Sequence, residues 1–249
     1  MIPVFCPAGQ GQFNVVAPTS PITGYRAWYN PTTIQQAASI VTAWNDASAN
    51  AFHFGTAVNS PAYTASAING LAGVTFTAAS LEKLTGSTNM SSLVSAAAYT
   101  IYAVYKLTSF SGNNGTDIST CAGLYSDAGG IMSQGPESAT QSYIVAGHYT
   151  GSAFVTAGNS GATSTGITII TETYYDGSSI FFRFNGSDKS SVVAANAGSF
   201  GTIQSGQSAS SGKYFDGSIC EMLFYNTTLS SANRTSNRLY LGAKYAGTG

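Results

Sequence analysis

Carboxylates are the side chains of this chain that could hydrolyse a glycosidic bond, and they are sparse. The four glutamates are Glu82, Glu137, Glu172 and Glu221. Retaining hydrolysis needs two carboxyl groups roughly 5–5.5 Å apart. Only Glu172 has a second acid within four residues, Asp176, and on a strand this pair would stand about 13 Å apart, at roughly 3.3 Å per residue. The spacing of the acids therefore argues against glycoside hydrolysis.

The other groups that carry chemistry also lack a catalytic pattern. His53 and His148 do not combine with the cysteines into a zinc-binding spacing, and neither a nucleophile-elbow motif nor a phosphate-binding loop is present. Cys6, Cys121 and Cys220 are odd in number and widely spaced, so we expect free thiols, with a single disulfide as the alternative. We therefore expect a protein that is not an enzyme.

The composition limits the class of protein and its partners. A length of 249 residues suits one all-β domain. Charged residues make up 8% of the chain and the net charge is −1, whereas a typical soluble domain has about 25% charged residues. There is no basic patch for nucleic acid or for an anionic membrane. Residues 1–9 lack the features of a secretory signal, so we expect synthesis in a cytoplasm.

Strand-like segments alternate with turn-forming clusters along the chain, which is typical of a β-sandwich. The strongest strand is Tyr99–Leu107, where apolar residues fall on both faces. Residues 179–185, followed by Gly186, predict a hairpin, and residues 34–38 predict a single helical turn. Further strands are predicted at residues 119–125, 142–149, 153–157 and 166–175.

The end of the chain predicts a strand and then a capped helix. Residues 216–226 form an apolar run in which Glu221 is the lone carboxylate. The hydroxyl of Ser230 can accept a bond from a free amide of the first helical turn. A helix is predicted to follow, from Ser231 to Tyr245.

This strand, cap and helix resemble the C-terminus of the laminin-G-like branch of the concanavalin A-like jelly rolls. The first half of the chain resembles the same family at Trp28, Trp44, Asp46, Ser48, Asn50, Pro61, Tyr63, Asn69, Gly70, Val74 and Phe76. The resemblance implies an all-β fold, a two-sheet antiparallel jelly-roll sandwich with a short C-terminal helix. We expect residues 25–249 to form this domain. Residues 1–24, rich in Gly and Pro, would form an N-terminal arm that docks on neighbours or a plain terminal tail.

The resemblance places Glu221 and both tryptophans in structural positions. We expect Glu221 to accept bonds from backbone amides or to pair with Arg234 or Arg183. Trp28 and Trp44 could stack on a sugar, but their places on the family's framework favour packing in the core.

A calcium site is the alternative for one acidic turn. Asp46 and Ser48 are typical of a turn held by side-chain-to-backbone bonds, although laminin-G-like domains often bind Ca²⁺. Calcium needs about 6–8 oxygen ligands, and Asp117 and Asp127 are the only other loop acids that we consider as ligands. Asn30 stands where the family has an early acid. We therefore expect no metal and no cofactor, with Ca²⁺ at these acids as the alternative.

One cluster of residues has the side-chain types of a glycan site, which needs an aromatic face and a few fixed polar groups. Its members are Tyr125, Asp127, Tyr143, His148 and Tyr149. The alternative is that they are ordinary strand residues that cover a sheet face.

The resemblance and the composition together predict a non-enzymatic structural protein of a bacteriophage virion, as capsid decoration, head fibre or tail component. Single laminin-G-like domains of this pattern occur in phage structural genes and in bacterial adhesins. The partners would then be other virion proteins and further copies of the chain in a homo-oligomer, together with a host-surface glycan. A soluble carbohydrate-binding module or lectin is the alternative function.

Overall fold

The computed structural model describes residues 17–110, 124–127, 132–136, 144–158, 164–198, 200–207 and 213–245. Cys6, Asp117, Cys121, Glu137 and Tyr143 lie outside these ranges. In chain order the strands are β1 (Ala27–Tyr29), β2 (Ile34–Ala37), β3 (Ile40–Trp44), β4 (Thr56–Val58), β5 (Ala62–Ile68), β6 (Leu71–Phe76), β7 (Lys83–Asn89), β8 (Tyr99–Leu107), β9 (Tyr125–Asp127), β10 (Met132–Pro136), β11 (Ile144–Tyr149), β12 (Phe154–Gly158), β13 (Ile169–Tyr175), β14 (Ser179–Phe184), β15 (Ser187–Val193), β16 (Thr202–Ser205) and β17 (Gly217–Tyr225). One α-helix in the described residues, α1 (Ser231–Tyr245), follows the last strand.

The strands form two antiparallel sheets. The larger sheet has the order β15-β14-β13-β8-β17-β6-β5-β3-β2, and β1 also pairs with β17. The smaller sheet has the order β12-β11-β10-β9-β16-β7-β4. This arrangement confirms the predicted two-sheet antiparallel sandwich with a short C-terminal helix.

Apolar side chains are buried in two separate layers, and burial of apolar area is the main stabilising contribution in both. The inner core fills the space between the sheets, with members that include Trp44, Phe54, Phe76, Ile101, Tyr105 and Phe224. The outer core lies between the larger sheet and α1, with members that include Tyr102, Val104, Leu223, Tyr225, Leu241 and Tyr245. Because side chains alternate along a strand, β8 and β17 contribute to both layers. This agrees with the apolar residues on both faces of Tyr99–Leu107.

Most of the predicted strands agree with the structure. β11, β12, β13 and β14 overlap the segments predicted at residues 142–149, 153–157, 166–175 and 179–185. Asn185 and Gly186 have φ values of 46° and 79°, as a two-residue hairpin loop of type I′ requires. The segment predicted at residues 119–125 falls mainly outside the described residues.

The helical turn predicted at residues 34–38 was wrong, because residues Ile34–Ala37 form β2. This strand pairs with β3, and Ile34 lies opposite Trp44. Ala38 and Ser39 have φ values of 50° and 65°, which turn the chain back on itself. The backbone N–H and C=O groups of this segment therefore bond to β3, whereas in a helical turn they would have bonded to each other.

The predicted helix cap is confirmed. The hydroxyl of Ser230 accepts a bond from the backbone N–H of Asn233 at 3.2 Å. The buried residues of α1, at the spacing of one helix face, are Asn237, Tyr240, Leu241 and Tyr245. No helix in the described ranges has the length and apolar character needed to cross a membrane.

The described part of the predicted arm, residues 17–24, contacts its own chain. The backbone N–H of Ile22 donates to Asn237 Oδ1 at 2.8 Å, and the hydroxyl of Tyr225 donates to the carbonyl of Ile22 at 2.7 Å. These bonds attach this segment to α1 and β17.

Cys220 is a buried free thiol on β17, which agrees with the prediction for this residue. Burial raises the pKa of the Cys220 thiol to about 12. The thiol therefore stays protonated at neutral pH and packs as a small apolar group.

Candidate functional site

Three of the residues predicted to bind a glycan are inside the sandwich. Tyr125, Asp127 and His148 are each buried, at no more than 1% exposure. The ring of Tyr125 packs edge-on against Phe224 in the inner core, with centroids 5.4 Å apart. Sugar stacking needs a ring face that is open to solvent, and these side chains offer none. Tyr149 is half-buried at the end of β11, and Tyr143 lies outside the described residues.

His148 is held by two interior hydrogen bonds. Its Nε2 lies 2.9 Å from the carbonyl of Ala195, so Nε2 carries the proton and donates. The hydroxyl of Tyr99 lies 3.1 Å from Nδ1 and donates to it. Burial lowers the pKa of the His148 imidazole. The residue is therefore a neutral link between the two sheets.

The acidic turn at Asp46 does not fit a calcium ion. Its carboxylate oxygens accept bonds from the backbone N–H groups of Trp28 and Ser48, both at 2.8 Å, and of Phe52 at 3.0 Å. The partial positive charge on these donors opposes a cation. Asp127 accepts a bond from the N–H of Gly201 at 2.8 Å. Among the described residues, no group of three or more His, Cys, Asp or Glu side chains could hold a metal.

Glu221 is a buried acid whose hydrogen bonds all come from side chains. It is 1% exposed and lies on β17 beneath α1. Its carboxylate accepts bonds from the indole N–H of Trp28 (2.7 Å), the hydroxyls of Tyr240 (2.9 Å) and Tyr245 (2.6 Å), and Nζ of Lys244 (2.6 Å). Burial and the neighbouring Glu221 charge raise the pKa of the Tyr245 hydroxyl, which stays a donor.

The role of Glu221 is thus structural, but the predicted partners Arg234 and Arg183 were wrong. Strand β17 directs Glu221 toward the last turns of α1, where Lys244 lies, whereas Arg234 is in the first turn. The two tryptophans also pack as predicted. Trp44 is fully buried in the inner core, and Trp28 packs against the outer core.

A hollow of about 510 Å³ beside Trp28 has its polar groups occupied by other protein groups. Trp28 Nε1, Tyr240 and Lys244 in its wall all donate to Glu221. The side chain of Asn30 caps a short 3₁₀ turn by accepting a bond from the N–H of Thr32 at 2.9 Å. This hollow therefore has few polar groups left with which to orient a ligand.

The best candidate site is the outer groove, a surface between α1 and strands β13–β15 on the outer face of the larger sheet. Three of the four arginines of the chain lie there, although the chain has few charged residues. Two adjoining hollows form it and share Arg183. The arginine hollow, of about 430 Å³, has Ile170, Glu172, Arg183, Asn185 and Arg238 in its wall. The aromatic shelf, of about 380 Å³, has Tyr174, Phe181, Arg183, Asp188 and Lys189 in its wall.

Strand register positions these side chains. Glu172 lies opposite Arg183, and Tyr174 lies opposite Phe181, on the paired strands β13 and β14. Residues two apart on a strand share a face and stand about 6.6 Å apart, at roughly 3.3 Å per residue. The aromatic pair and the charged pair therefore form adjacent rows on the same face, within reach of one ligand.

Ion pairs fix the charged row. Glu172 is buried, and its Oε2 accepts a bond from Arg238 Nη1 at 2.7 Å. Arg234 Nε lies 3.0 Å from Glu172 Oε1, an ion-pair contact without the angle of a hydrogen bond. Burial raises the pKa of the Glu172 carboxyl, and the two guanidinium groups lower it in part. Arg183 contacts Asp188 through both Nε and Nη2, the latter at 2.6 Å.

The aromatic row is a layered stack. The rings of Tyr174 and Phe181 are parallel within 8°, with centroids 4.5 Å apart. The guanidinium carbon of Arg234 lies 4.0 Å from the Tyr174 centroid, where a cation is attracted to the ring. Phe181 is half-buried, and its neighbour on β15 is the small residue Ser191. The face of Phe181 directed toward β15 is therefore the one that a ligand can reach.

The described residues of the groove offer hydrogen-bond donors and an aromatic face, whereas its two acids, Glu172 and Asp188, are held in ion pairs. Both oxygens of Glu172 contact arginines, and both oxygens of Asp188 contact Arg183. Guanidinium groups and an aromatic face suit recognition of a polar ligand that also has an apolar side.

The prediction from sequence missed the outer groove, although one signal for it was present. A two-residue loop at Asn185 and Gly186 fixes the register of the hairpin. That register brings Arg183 opposite Asp188. The contribution of α1, with Arg234 and Arg238, carried no comparable signal because it depends on packing across distant segments.

No family model matches the chain, and no curated protein matches it. Solved structures do. Domain 4 of an extracellular GH43 arabinanase from Geobacillus stearothermophilus, in complex with arabinotriose, has a TM-score of 0.62 at 15% identity, over 86% of this chain and 97% of that one. The binding domain of Paraclostridial mosquitocidal protein 1 has a TM-score of 0.60 at 10% identity, over 87% of this chain and 52% of that one.

A Trypanosoma rangeli sialidase in complex with the inhibitor DANA has a TM-score of 0.53 at 12% identity, over 89% of this chain and 33% of that one. At these identities the likeness shows the fold alone, an antiparallel β-sandwich. The laminin-G-like branch of the jelly rolls stays a prediction.

Proposed function

We propose that this chain is a non-catalytic carbohydrate-binding module and that the saccharide binds in the outer groove. The observation that carries the proposal is the open face of Phe181 beside the arginine row of the same sheet face. A sugar ring has an apolar C–H side that packs on an aromatic face, and its hydroxyls bond to fixed polar groups. Arg183 and Arg238 are such groups, because their ion pairs fix the positions of the guanidinium planes.

The comparisons support the proposal at the level of the fold. The arabinanase domain was solved in complex with arabinotriose, so a sandwich of this fold accommodates a saccharide in that protein. The proposed absence of catalysis rests on the ion-paired state of Glu172 and Asp188. A role in a virion, with a homo-oligomer and other virion proteins as partners, has no support from the comparisons and stays a prediction.

The test is a glycan array with the purified chain, followed by calorimetry with the saccharides that bind. Phe181→Ala should weaken binding about tenfold, which corresponds to about 1.4 kcal/mol. Ile40→Ala is the matched control, because Ile40 is an apolar residue of 44% exposure on β3, at the other side of the same sheet. This control should bind as the wild type does. Full affinity in Phe181→Ala, or no saccharide bound by the wild type, would contradict the proposal.

A further inference from the structure

We propose that the saccharide bound in the outer groove is acidic, and that its carboxylate lies in the arginine hollow against Arg183 and Arg238. This inference rests on the proposed carbohydrate-binding function and specifies its ligand. The observation behind it is the charge that the hollow presents to solvent, which differs in sign from the charge of the whole chain.

The hollow presents cations but no accessible carboxylate. Glu172 is the one acid in its wall, and it is 2% exposed with both oxygens against Arg234 and Arg238. Asp188 lies in the wall of the adjoining aromatic shelf. With Lys189 included, the outer groove holds four cations and two carboxylates, an excess of two positive charges, whereas the whole chain has a net charge of −1.

The arginines retain donors for a ligand. Arg183 uses Nε and Nη2 for Asp188, which leaves its Nη1 amino group. Arg238 uses Nη1 for Glu172 and Nη2 for Thr235, which leaves its Nε. A guanidinium N–H forms a stronger, charge-assisted hydrogen bond to a carboxylate oxygen than to a neutral hydroxyl. A carboxylate is thus the ligand group that these donors fit best.

The hollow also has room for such a group. Gly186 and Gly242 lie in its wall, and a Cβ atom at either residue would meet no atom within 4 Å. The amide of Asn185 is used within the protein, because it bonds the backbone of Ile170 and of Thr168. The two arginines therefore supply the charged contacts to the ligand.

Two other hollows in the described part of the chain lack this excess of accessible positive charge. The wall of a hollow of about 660 Å³ near Phe200 has no charged residue. The hollow beside Trp28 has one cation, Lys244, which is paired with Glu221. Of these hollows, the outer groove is the one that favours an acidic ligand.

The test compares acidic oligosaccharides with neutral ones of the same backbone. Calorimetry would measure oligogalacturonate and oligoalginate beside their methyl esters, with dextran sulfate as a further anion. We expect each acid to bind at least tenfold more tightly than its ester, and the affinity for the acid to fall as salt is raised. Arg183→Gln should remove most of this preference.

Arg26→Gln is the matched control, because it makes the same change at the arginine that lies outside the outer groove. It should retain the preference of the wild type. Unchanged unfolding midpoints for both variants would show that the fold is intact.

Two results would overturn the inference and leave the proposed function standing. The first is equal binding of the acid and its ester, and the second is binding of neutral saccharides alone on the array. Dextran sulfate could also bind as tightly as the carboxylated chains and lose as much affinity in Arg183→Gln. That result would overturn carboxylate recognition and indicate a general attraction of anions. Binding of no saccharide on the array would defeat the proposed function itself.

Discussion

Single buried polar residues join distant parts of this chain. Glu221 bonds four side chains, one near the start of the domain and three on α1. Asn237 on α1 bonds both the N-terminal segment and Tyr225. Breaking a buried charge pair by removing one partner costs about 3–5 kcal/mol. The few charged residues of the chain therefore have a large share in fixing the position of its helix.

His148 predicts a pH dependence of stability at the residue scale. Its folded-state pKa lies below its usual value because it is buried, whereas in the unfolded chain it is about 6.5. Below about pH 6.5 the unfolded chain therefore binds a proton that the native state does not. The free energy of unfolding then decreases as the pH is lowered. Above about pH 7 the contribution is fully present.

Urea unfolding between pH 7 and pH 5 should show this loss in the wild type. His148→Asn should be less stable at pH 7 but should lose less stability over this interval, by up to about 1.4 kcal/mol per unit of pH. His53 is present in both proteins and serves as the internal reference. An identical slope in the variant would show that His148 is not responsible.

At the scale of elements, the hairpin of β14 and β15 builds one side of the outer groove. Its loop places Asn185 and Gly186 in the left-handed region, and the resulting register sets Arg183 opposite Asp188. The loop is therefore a requirement both for stability and for the geometry of the groove.

The same substitution at two glycines should have opposite effects. Gly186→Ala forces a Cβ into a residue with φ of 79° and should destabilise the protein by roughly 1–2 kcal/mol. Gly242→Ala, inside α1 where a Cβ meets no atom within 4 Å, should stabilise it by about 0.5–1 kcal/mol. Thermal unfolding of both variants measures the effects. If both substitutions changed the stability in the same direction, the assigned backbone conformations would be contradicted.

At the scale of the whole molecule, two cores share two strands. β8 and β17 bury alternate side chains in the inner and the outer core, so loss of one core would expose the strands that support the other. The sandwich and its helix are therefore expected to unfold as one unit.

The two tryptophans report on the two cores separately. Trp44→Phe leaves Trp28 beside the outer core, and Trp28→Phe leaves Trp44 in the inner core. In each variant, we expect the fluorescence transition in urea to coincide with the loss of far-ultraviolet circular dichroism. A Trp28 signal that changes at lower urea than the circular dichroism would mean that α1 detaches first.

The amino-acid sequence by itself determined the local features of this protein. An apolar run on both faces defines β8, the Asn185–Gly186 pair defines a hairpin, and Ser230 caps α1. Each of these depends on neighbours in the chain, so a periodicity or a turn residue is enough to predict it. The two-sheet sandwich followed from such features together with the family resemblance.

Only the tertiary structure decided which side chains meet. It paired Glu172 with two arginines of α1 and Glu221 with Lys244, and it buried Tyr125 and His148. Residues 34–37 became a strand because β3 was available to pair with them. Such contacts join segments far apart in the chain, and no local pattern encodes them. The outer groove arises from these long-range contacts, because packing of α1 against the sheet is what brings its arginines to β13.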